Sequence, residues 1–132
     1  MGDFSSAELH FLTSERRLAR LATVGPDGVP HVCPVGWTLG PDERWIDIGG
    51  FDLTRTKKFR DVQRTGRAAL VIDDVLPPWR PRGVEIRGRA SAIDSPEPVI
   101  RLYPERIVGW GLDSTEMGVR NARMVPASET SR

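Results

Sequence analysis

The chain has few cysteines and histidines, and it contains no long run of apolar residues. A single cysteine, Cys33, excludes a disulfide within the chain. The two histidines, His10 and His31, lie far apart without the spacing of Cys, Asp or Glu that is typical of a metal site. We therefore predict no bound metal. Because no long apolar run and no signal-peptide pattern are found, we also predict a cytoplasmic protein without a membrane segment.

Excess charge of either sign is also missing. The 132 residues contain 19 Lys and Arg against 18 Asp and Glu, for a formal net charge of +1. A general nucleic-acid-binding protein is expected to have a clear basic excess, so we exclude that class of partner. The length suits one domain, residues 1–132, with a core of ordinary size. The sequence thus predicts a single globular domain whose partners are small molecules.

Apolar residues alternate with polar ones in several short segments, which predicts a mainly β protein. Two of these segments flank Gly25-Pro26-Asp27-Gly28, a tight-turn signal, and should form a hairpin. Residues 76–83 contain several prolines and are predicted to be irregular. The predicted strands, six in all, are residues 17–24, 30–37, 45–49, 68–72, 84–92 and 99–112, the last broken at residues 103–106. Their number and order favour a closed or split antiparallel barrel.

The two ends of the chain differ in their predicted structure. Ser5 followed by Glu8 is a capping-box pattern, and the apolar residues after it have helical spacing, so a short packing helix should begin here. The tail from residue 113 to residue 132 is polar and weakly patterned. We expect this tail to be partly disordered unless a partner chain orders it.

A second short helix is predicted between the third and fourth strands. Asp52 or Thr54 could cap its first turn, Phe59 and Val62 would share one face, and Gly66 would end it. The helix lies in the middle of the predicted barrel sequence and is the most basic segment of the chain.

The charges of this helix are unusual for its first turn. Arg55, Lys57 and Lys58 crowd the end at which the helix dipole is already positive and acidic residues are favoured. A bound phosphate would make this arrangement favourable, because the free amide groups and the cations would then face the same anion. Gly49-Gly50, just upstream, would allow a ligand close to the backbone. The alternative is a solvated basic face after a two-glycine turn.

Several sequence blocks occur in an order and spacing typical of one superfamily. They are Leu21-Ala22-Thr23-Val24-Gly25-Pro26-Asp27-Gly28 with Pro34-Val35-Gly36, then Ile46-Asp47-Ile48-Gly49-Gly50, Thr56-Lys57-Lys58-Phe59-Arg60, residues 78–88 and residues 100–112. From about Leu18 to Leu112 the chain resembles the pyridoxamine 5'-phosphate oxidase-like split-barrel family of flavin and deazaflavin binders. It is most similar to the branch that uses coenzyme F420.

The resemblance implies a six-stranded antiparallel split β-barrel with one or a few short helices. It also implies a homodimer with two cofactor sites at the subunit interface. The expected activity is that of an F420-dependent oxidoreductase, which transfers a hydride between reduced deazaflavin and a small electron-poor organic substrate. Because the cofactor performs the hard chemistry in such enzymes, we assign no residue as a dedicated catalytic acid or base.

The resemblance also implies a role for individual residues. The backbone of the second strand would lie along the ring system, the end of the third strand along the ribityl chain, and the basic helix at the phosphate. A further group would reach the cofactor from the partner subunit, although ordinary dimer packing is the alternative for its two tryptophans. In that order the implied cofactor-binding residues are Val32, Pro34, Val35 and Gly36; Ile48, Gly49 and Gly50; Arg55, Lys57 and Lys58; and Trp79, Arg82, Gly83 and Trp110.

Two alternatives stay open within this resemblance. The cofactor could be FMN, which shares the ribityl phosphate of F420 but lacks its anionic tail, and extra cations such as Arg80 or Arg60 would suit that tail. The protein could also be a non-catalytic flavin- or deazaflavin-binding protein. The resemblance disfavours oxidation of vitamin B6: the pyridoxamine phosphate oxidases carry, beyond the tryptophan, an Arg-x-His-type motif that binds the phosphate of the vitamin, whereas the segment after Trp110 contains Arg120 and Arg123 but no histidine.

Overall fold

A computed structural model of the chain describes residues 3–112 and 120–126. In this part of the chain one antiparallel sheet is accompanied by two α-helices and two short 3-10 turns, Pro41–Glu43 and Leu53–Arg55. The elements are α1 (Ser6–Ser14), β1 (Ala19–Val24), β2 (Pro30–Val35), β3 (Trp37–Leu39), β4 (Ile46–Ile48), α2 (Lys57–Thr65), β5 (Arg67–Leu76), β6 (Arg80–Ile93), β7 (Val99–Trp110) and β8 (Arg120–Met124).

The strands form one curled sheet in the order β2-β1-β5-β6-β7-β4-β3, with β8 paired to β7. The two ends of this path, β2 and β3, are joined by Gly36 alone, so the sheet has to bend back on itself. This confirms the predicted antiparallel split barrel. The predicted number of six strands is wrong, because Gly36 divides residues 30–37 into two strands and β8 adds another.

The core lies inside the curl and is built from alternate strand residues. In β1 the side chains of Ala19, Leu21 and Thr23 are buried and those between them face outward. Ile86 and Ile107 pair across β6 and β7 and are fully buried. This period of two follows from the pleat of the strands, which sends successive side chains to opposite faces.

The helix α2 packs on β1 and β6 through Phe59 and Val62, as predicted. Burial of an aromatic side chain of this size contributes roughly 2 to 3 kcal/mol to folding. Gly66 ends the helix in the left-handed conformation at φ 69°, also as predicted. The predicted N-cap is wrong: Leu53–Arg55 form a separate 3-10 turn, and the hydroxyl of Thr56 accepts from the backbone N–H of Phe59.

The predicted capping box of α1 is confirmed. The backbone N–H of Glu8 donates to the Ser5 hydroxyl, and the backbone N–H of Ser5 donates to the Glu8 carboxylate. Glu8 is buried, and Arg123 of β8 binds its carboxylate, so the first helix and the last described strand are joined. Within the described residues, no helix has both the length and the apolar character needed to cross a membrane.

Residues 76–83 are not irregular, and that prediction is wrong. The strands β5 and β6 form one long hairpin whose register runs from Arg67 opposite Arg89 to Leu76 opposite Arg80, and residues 77–79 make its turn. The prolines therefore occupy the turn and the outer end of the hairpin, where a missing N–H is tolerated.

The last predicted strand is not broken at residues 103–106. The strand β7 is continuous, and a bulge shifts its register so that Gly88 faces Pro104 and Arg87 faces Arg106. A bulge is a place at which a strand accepts proline. In the predicted flexible tail, residues 120–124 form β8, whereas residues 113–119 and 127–132 lie outside the described part of the chain.

Candidate functional site

A groove of about 790 Å³ lies where β3 and β4 meet the loop that follows β6. It contains three residues for which the resemblance implies cofactor contact: Gly36, Gly49 and Gly50. Its wall is completed by Arg16, Trp37, Thr38, Asp47, Ile93, Ser95, Pro96, Glu97, Pro98, Val99 and Arg101.

These three glycines leave open space beside the backbone. A Cβ atom on Gly36 or Gly49 would have no neighbouring atom within 4 Å, and one on Gly50 would meet only Leu53 Cδ1, at 3.6 Å. None of the three has a positive φ. Neither a turn nor internal packing therefore requires glycine at these positions. Such bare backbone in a groove is suited to the close approach of a ligand.

The polar floor of the groove is an ion pair within the chain. Arg101 donates from Nε to Asp47 Oδ1 at 2.8 Å and from Nη2 to Oδ2 at 3.2 Å. Its guanidinium also lies over the Trp45 ring, 4.5 Å from the centroid. The hydrogen bonds that Arg101 donates to Asp47 raise the pKa of Arg101. The two charges of this pair cancel, and the other two charged residues of the lining, Arg16 and Glu97, are also of opposite sign.

Lys57 and Lys58 lie in the first turn of α2, which contains no acidic residue. Among the described residues, neither lysine forms an ion pair or a side-chain hydrogen bond. Arg55 differs from the sequence prediction, because it belongs to the preceding 3-10 turn and approaches Asp52 at 3.9 Å, mostly in solvent. Lys57 and Lys58, together with the unpaired amide groups at the start of α2, thus follow Gly50 in the sequence after a short loop, residues 51–56. That arrangement suits a phosphate group.

A buried carboxylate fixes α2 against the β1–β2 hairpin. Asp61 accepts from Thr23 Oγ1 at 2.9 Å and Arg64 Nη1 at 3.4 Å, and it lies 3.3 Å from His31 Nδ1. Burial raises the pKa of Asp61, but these contacts and the charge of Lys57 outweigh burial and hold the pKa below its usual value. Sequence reasoning missed this cluster, because its members meet only through the tertiary packing of helix on hairpin.

The residues of the predicted second strand face in both directions. Val32 and Pro34 are exposed on the outer face, whereas Val35 and Ile48 of β4 point into the core and offer a ligand only their backbone. Because β2 is an edge strand, one side of its backbone has no neighbouring strand among the described residues. Unpaired backbone groups of this kind are available to a ligand or another chain.

The residues predicted to reach the cofactor from a partner subunit do not line the groove of their own chain. Trp79 lies at the turn of the β5–β6 hairpin with 65% of its surface exposed. Arg82 binds Asp74 with two hydrogen bonds, of 2.7 and 3.0 Å. Gly83 is buried beneath the indole of Trp110. A metal site is likewise not formed: in residues 3–112 and 120–126 no three His, Cys, Asp or Glu side chains are grouped around a possible ion.

Comparison with known proteins gives one family and several relatives. The family model described as pyridoxamine 5'-phosphate oxidase matches residues 5–128. A 5a,11a-dehydrotetracycline/5a,11a-dehydrooxytetracycline reductase of Streptomyces rimosus is 34% identical over 98% of both chains. The structure of the chain is similar to that of a heme binding protein from Mycobacterium smegmatis, with a TM-score of 0.69 and 16% sequence identity. The match covers 94% of this chain and 60% of the heme binding protein. It is also similar to the structure of an F420 reductase, with a TM-score of 0.57 and 18% sequence identity. This match covers 74% of this chain and 94% of the F420 reductase.

Proposed function

The chain belongs to the pyridoxamine 5'-phosphate oxidase family, and on that basis we propose that it is a reductase that uses the deazaflavin coenzyme F420. The reductase relative, which is 34% identical over nearly the whole of both chains, supports an oxidoreductase. The F420 reductase with the same fold supports the choice of coenzyme. The observation that carries the proposal is the open backbone at Gly36 and Gly49 in the groove, together with two lysines at a helix start that follows Gly50 after a short loop.

Different segments of the chain would bind different parts of the coenzyme. The edge of β2 and Gly36 would bind the ring system, and Gly49 and Gly50 would bind the ribityl chain. Lys57 and Lys58, with the first amide groups of α2, would bind the phosphate through charge-assisted hydrogen bonds. Asp61 acts indirectly, because its contacts with the β1–β2 hairpin hold the helix start in place.

When bound, a reduced deazaflavin supplies a hydride, and an electron-poor C=C or C=N bond of a small organic molecule would receive it. The protein would orient the two partners and exclude water from one side of the ring. Two carboxylates line the groove among the described residues: Asp47 is paired with Arg101, and Glu97 is exposed in the loop that follows β6. We therefore assign no residue as a dedicated acid or base, and water can supply the proton.

We further propose that the active form is a homodimer. Large apolar side chains are exposed at the β2 edge and at the hairpin turn, where Val32 and Trp79 are 69% and 65% exposed. A second copy would cover such surfaces and bring Trp79 and Arg82 to the groove of its partner.

Two experiments test this function against its alternatives. Titration with F420 and with FMN, side by side, should give tighter binding of F420; a purified protein that is yellow with a flavin spectrum would favour FMN. Single-turnover oxidation of bound reduced F420 by candidate electron-poor acceptors should be faster on the protein than in buffer. A protein that only stores the coenzyme would leave this rate unchanged.

A further inference from the structure

We propose a second ligand site beside the groove: a cavity of about 420 Å³ in which Arg17 binds the anionic or strongly polarised oxygen of a planar organic molecule. The cavity lies between the C-terminal end of α1 and β3. Its walls are residues 12–17 on one side and residues 37–39 on the other.

The guanidinium of Arg17 is fixed on three sides. Its side chain is only 7% exposed, and Nε donates to Asp74 Oδ2 at 2.9 Å. Its Nη1 donates to the backbone carbonyl of Phe11, and the group lies 3.9 Å from the centroid of the Phe11 ring. Because these contacts set the plane of the guanidinium, its remaining nitrogen cannot turn toward a new partner inside the chain.

The remaining nitrogen, Nη2, is buried, and in the part of the chain that the structure describes it has no hydrogen-bond partner. The carboxylate of Glu15 approaches it only to 4.0 Å, beyond hydrogen-bond distance, and the Glu15 side chain is 70% exposed. A buried N–H without an acceptor is costly, so native structures rarely leave one unmatched. Arg17 and Glu15 both line the cavity, so an incoming oxygen that displaces the exposed Glu15 side chain could reach Nη2 and accept its unused N–H.

The rest of the cavity indicates the kind of molecule that carries this oxygen. Leu12 and Leu39 provide apolar surface, and the Trp37 indole provides a flat one. Trp37 Nε1 donates to the backbone carbonyl of Arg17 at 2.7 Å, which holds the indole in place. Arg16, on the rim, adds a second positive charge against the single negative charge of Glu15. This combination suits a planar conjugated molecule with one acidic oxygen, such as an enolate, a phenolate or a carboxylate.

The cavity and the groove are neighbours, because Arg16, Trp37 and Thr38 line both. If the groove holds a redox coenzyme, a molecule bound through Arg17 would lie beside it as a candidate acceptor. This last step rests on the proposed function, whereas binding at Arg17 does not. The experiment below therefore measures binding first on the protein without coenzyme.

The test uses 2-naphthoate and its neutral counterpart 2-naphthamide, with affinities measured by calorimetry. We expect the protein to prefer naphthoate by about tenfold or more, as a charge-assisted hydrogen bond would give. Arg17→Gln should abolish most of this preference. Arg16→Gln removes an equal charge from the same wall but not the buried donor, and it should retain the preference to within about threefold. Equal losses in the two variants, or no preference in the unaltered protein, would overturn the proposal.

Three further measurements extend the test and keep it decisive if Arg17→Gln does not fold. Glu15→Gln removes the exposed carboxylate near Nη2 and should tighten naphthoate binding while leaving naphthamide binding unchanged; an unchanged affinity for naphthoate contradicts the proposal. The indole N–H signal of Trp37 should shift when naphthoate binds to the unaltered protein. Saturation with F420 should leave naphthoate bound, and its complete displacement would show that the cavity is not a separate site.

Discussion

A Cβ atom on Gly83 would lie 2.7 Å from Cζ2 of Trp110, so the indole packs on the bare backbone of β6. The two residues also face each other in the register of β6 and β7. The resemblance assigns both to a cofactor contact, and within one chain they contact each other. Trp110 therefore has a packing partner in its own subunit, whatever it contacts in a second one.

Replacing Gly83 with alanine should destabilise the protein by about 1 to 3 kcal/mol, because the added methyl group would overlap Trp110, Asp73 Cβ and the Ile72 carbonyl. Urea unfolding followed by tryptophan fluorescence measures the change. Gly49→Ala is the matched control, since its methyl group enters open space and should leave stability within about 0.5 kcal/mol. Equal losses in the two variants would show that Trp110 does not pack on Gly83 in solution.

Gly49→Ala and Gly36→Ala should instead weaken coenzyme binding. Their methyl groups would occupy the space beside the backbone in which we place the coenzyme, and an imposed clash costs roughly 1 kcal/mol or more. Fluorescence titration with F420 measures this effect on protein whose urea midpoint is unchanged. Unaltered affinity in both variants would mean that the coenzyme does not approach these glycines.

Features that depend on a few consecutive residues could be predicted from the sequence. The turn at Gly25-Pro26-Asp27-Gly28, the capping box at Ser5 and the helix end at Gly66 are of this kind. The errors arose where distant pairing decides the structure. Prolines in residues 76–83 argued against a strand, but pairing with β5 extends β6 to Arg80, and the bulge opposite Gly88 lets β7 continue through Pro104.

The same difference between local features and distant contacts applies to the candidate site. Gly49, Gly50 and the two lysines can be named as candidates from local composition, because their unusual feature is visible in the chain itself. The Arg17–Asp74 pair cannot be found from the sequence, since its residues are 57 positions apart and meet only when the segment between α1 and β1 packs against β5. Arg82 was predicted as a cofactor contact, and its second role as a partner of Asp74 also needs the folded hairpin.

The ion pair between α1 and β8 should be important for stability. Arg123 donates to Glu8 at 2.9 and 2.6 Å, and Glu8 is buried, so Arg123→Met would leave a carboxylate without its main partner. We expect a loss of about 2 to 3 kcal/mol in the free energy of unfolding, measured in urea. Arg120→Met, the same change at an exposed position of the same strand, should cost far less. Similar losses in both would contradict the structural role of the pair.

Stability should depend on pH through Asp74. The hydrogen bond from Arg82 lowers the pKa of this carboxyl; burial raises it, the bond from Arg17 lowers it further, and the net pKa lies below the usual 3.8. A lowered folded-state pKa means that the stabilisation is present above the usual pKa and is lost as the pH falls through the folded value. The difference in unfolding free energy between the protein and Asp74→Asn should thus be large at pH 7 and shrink below about pH 4.

The control for this pH dependence is the neighbouring residue. Asp73 is exposed, and among the described residues it forms no ion pair, so Asp73→Asn should change stability little at either pH. A difference for Asp74→Asn that stays constant from pH 7 to pH 3 would show that the Arg17–Asp74–Arg82 cluster does not stabilise the fold in this way.

The most direct test of the central claim is a titration of F420 and FMN into the unaltered protein and into Lys57→Ala and Lys58→Ala. Arg67→Ala serves as the control, because it removes an exposed charge beyond the opposite end of the same helix, where Arg67 pairs with Glu105. We predict that F420 binds more tightly than FMN and that each lysine variant weakens F420 binding by roughly 1.5 to 3 kcal/mol, about 10- to 100-fold, with secondary structure intact. Affinity that is unchanged in both lysine variants, or weakened equally by Arg67→Ala, would contradict a phosphate site at the start of α2.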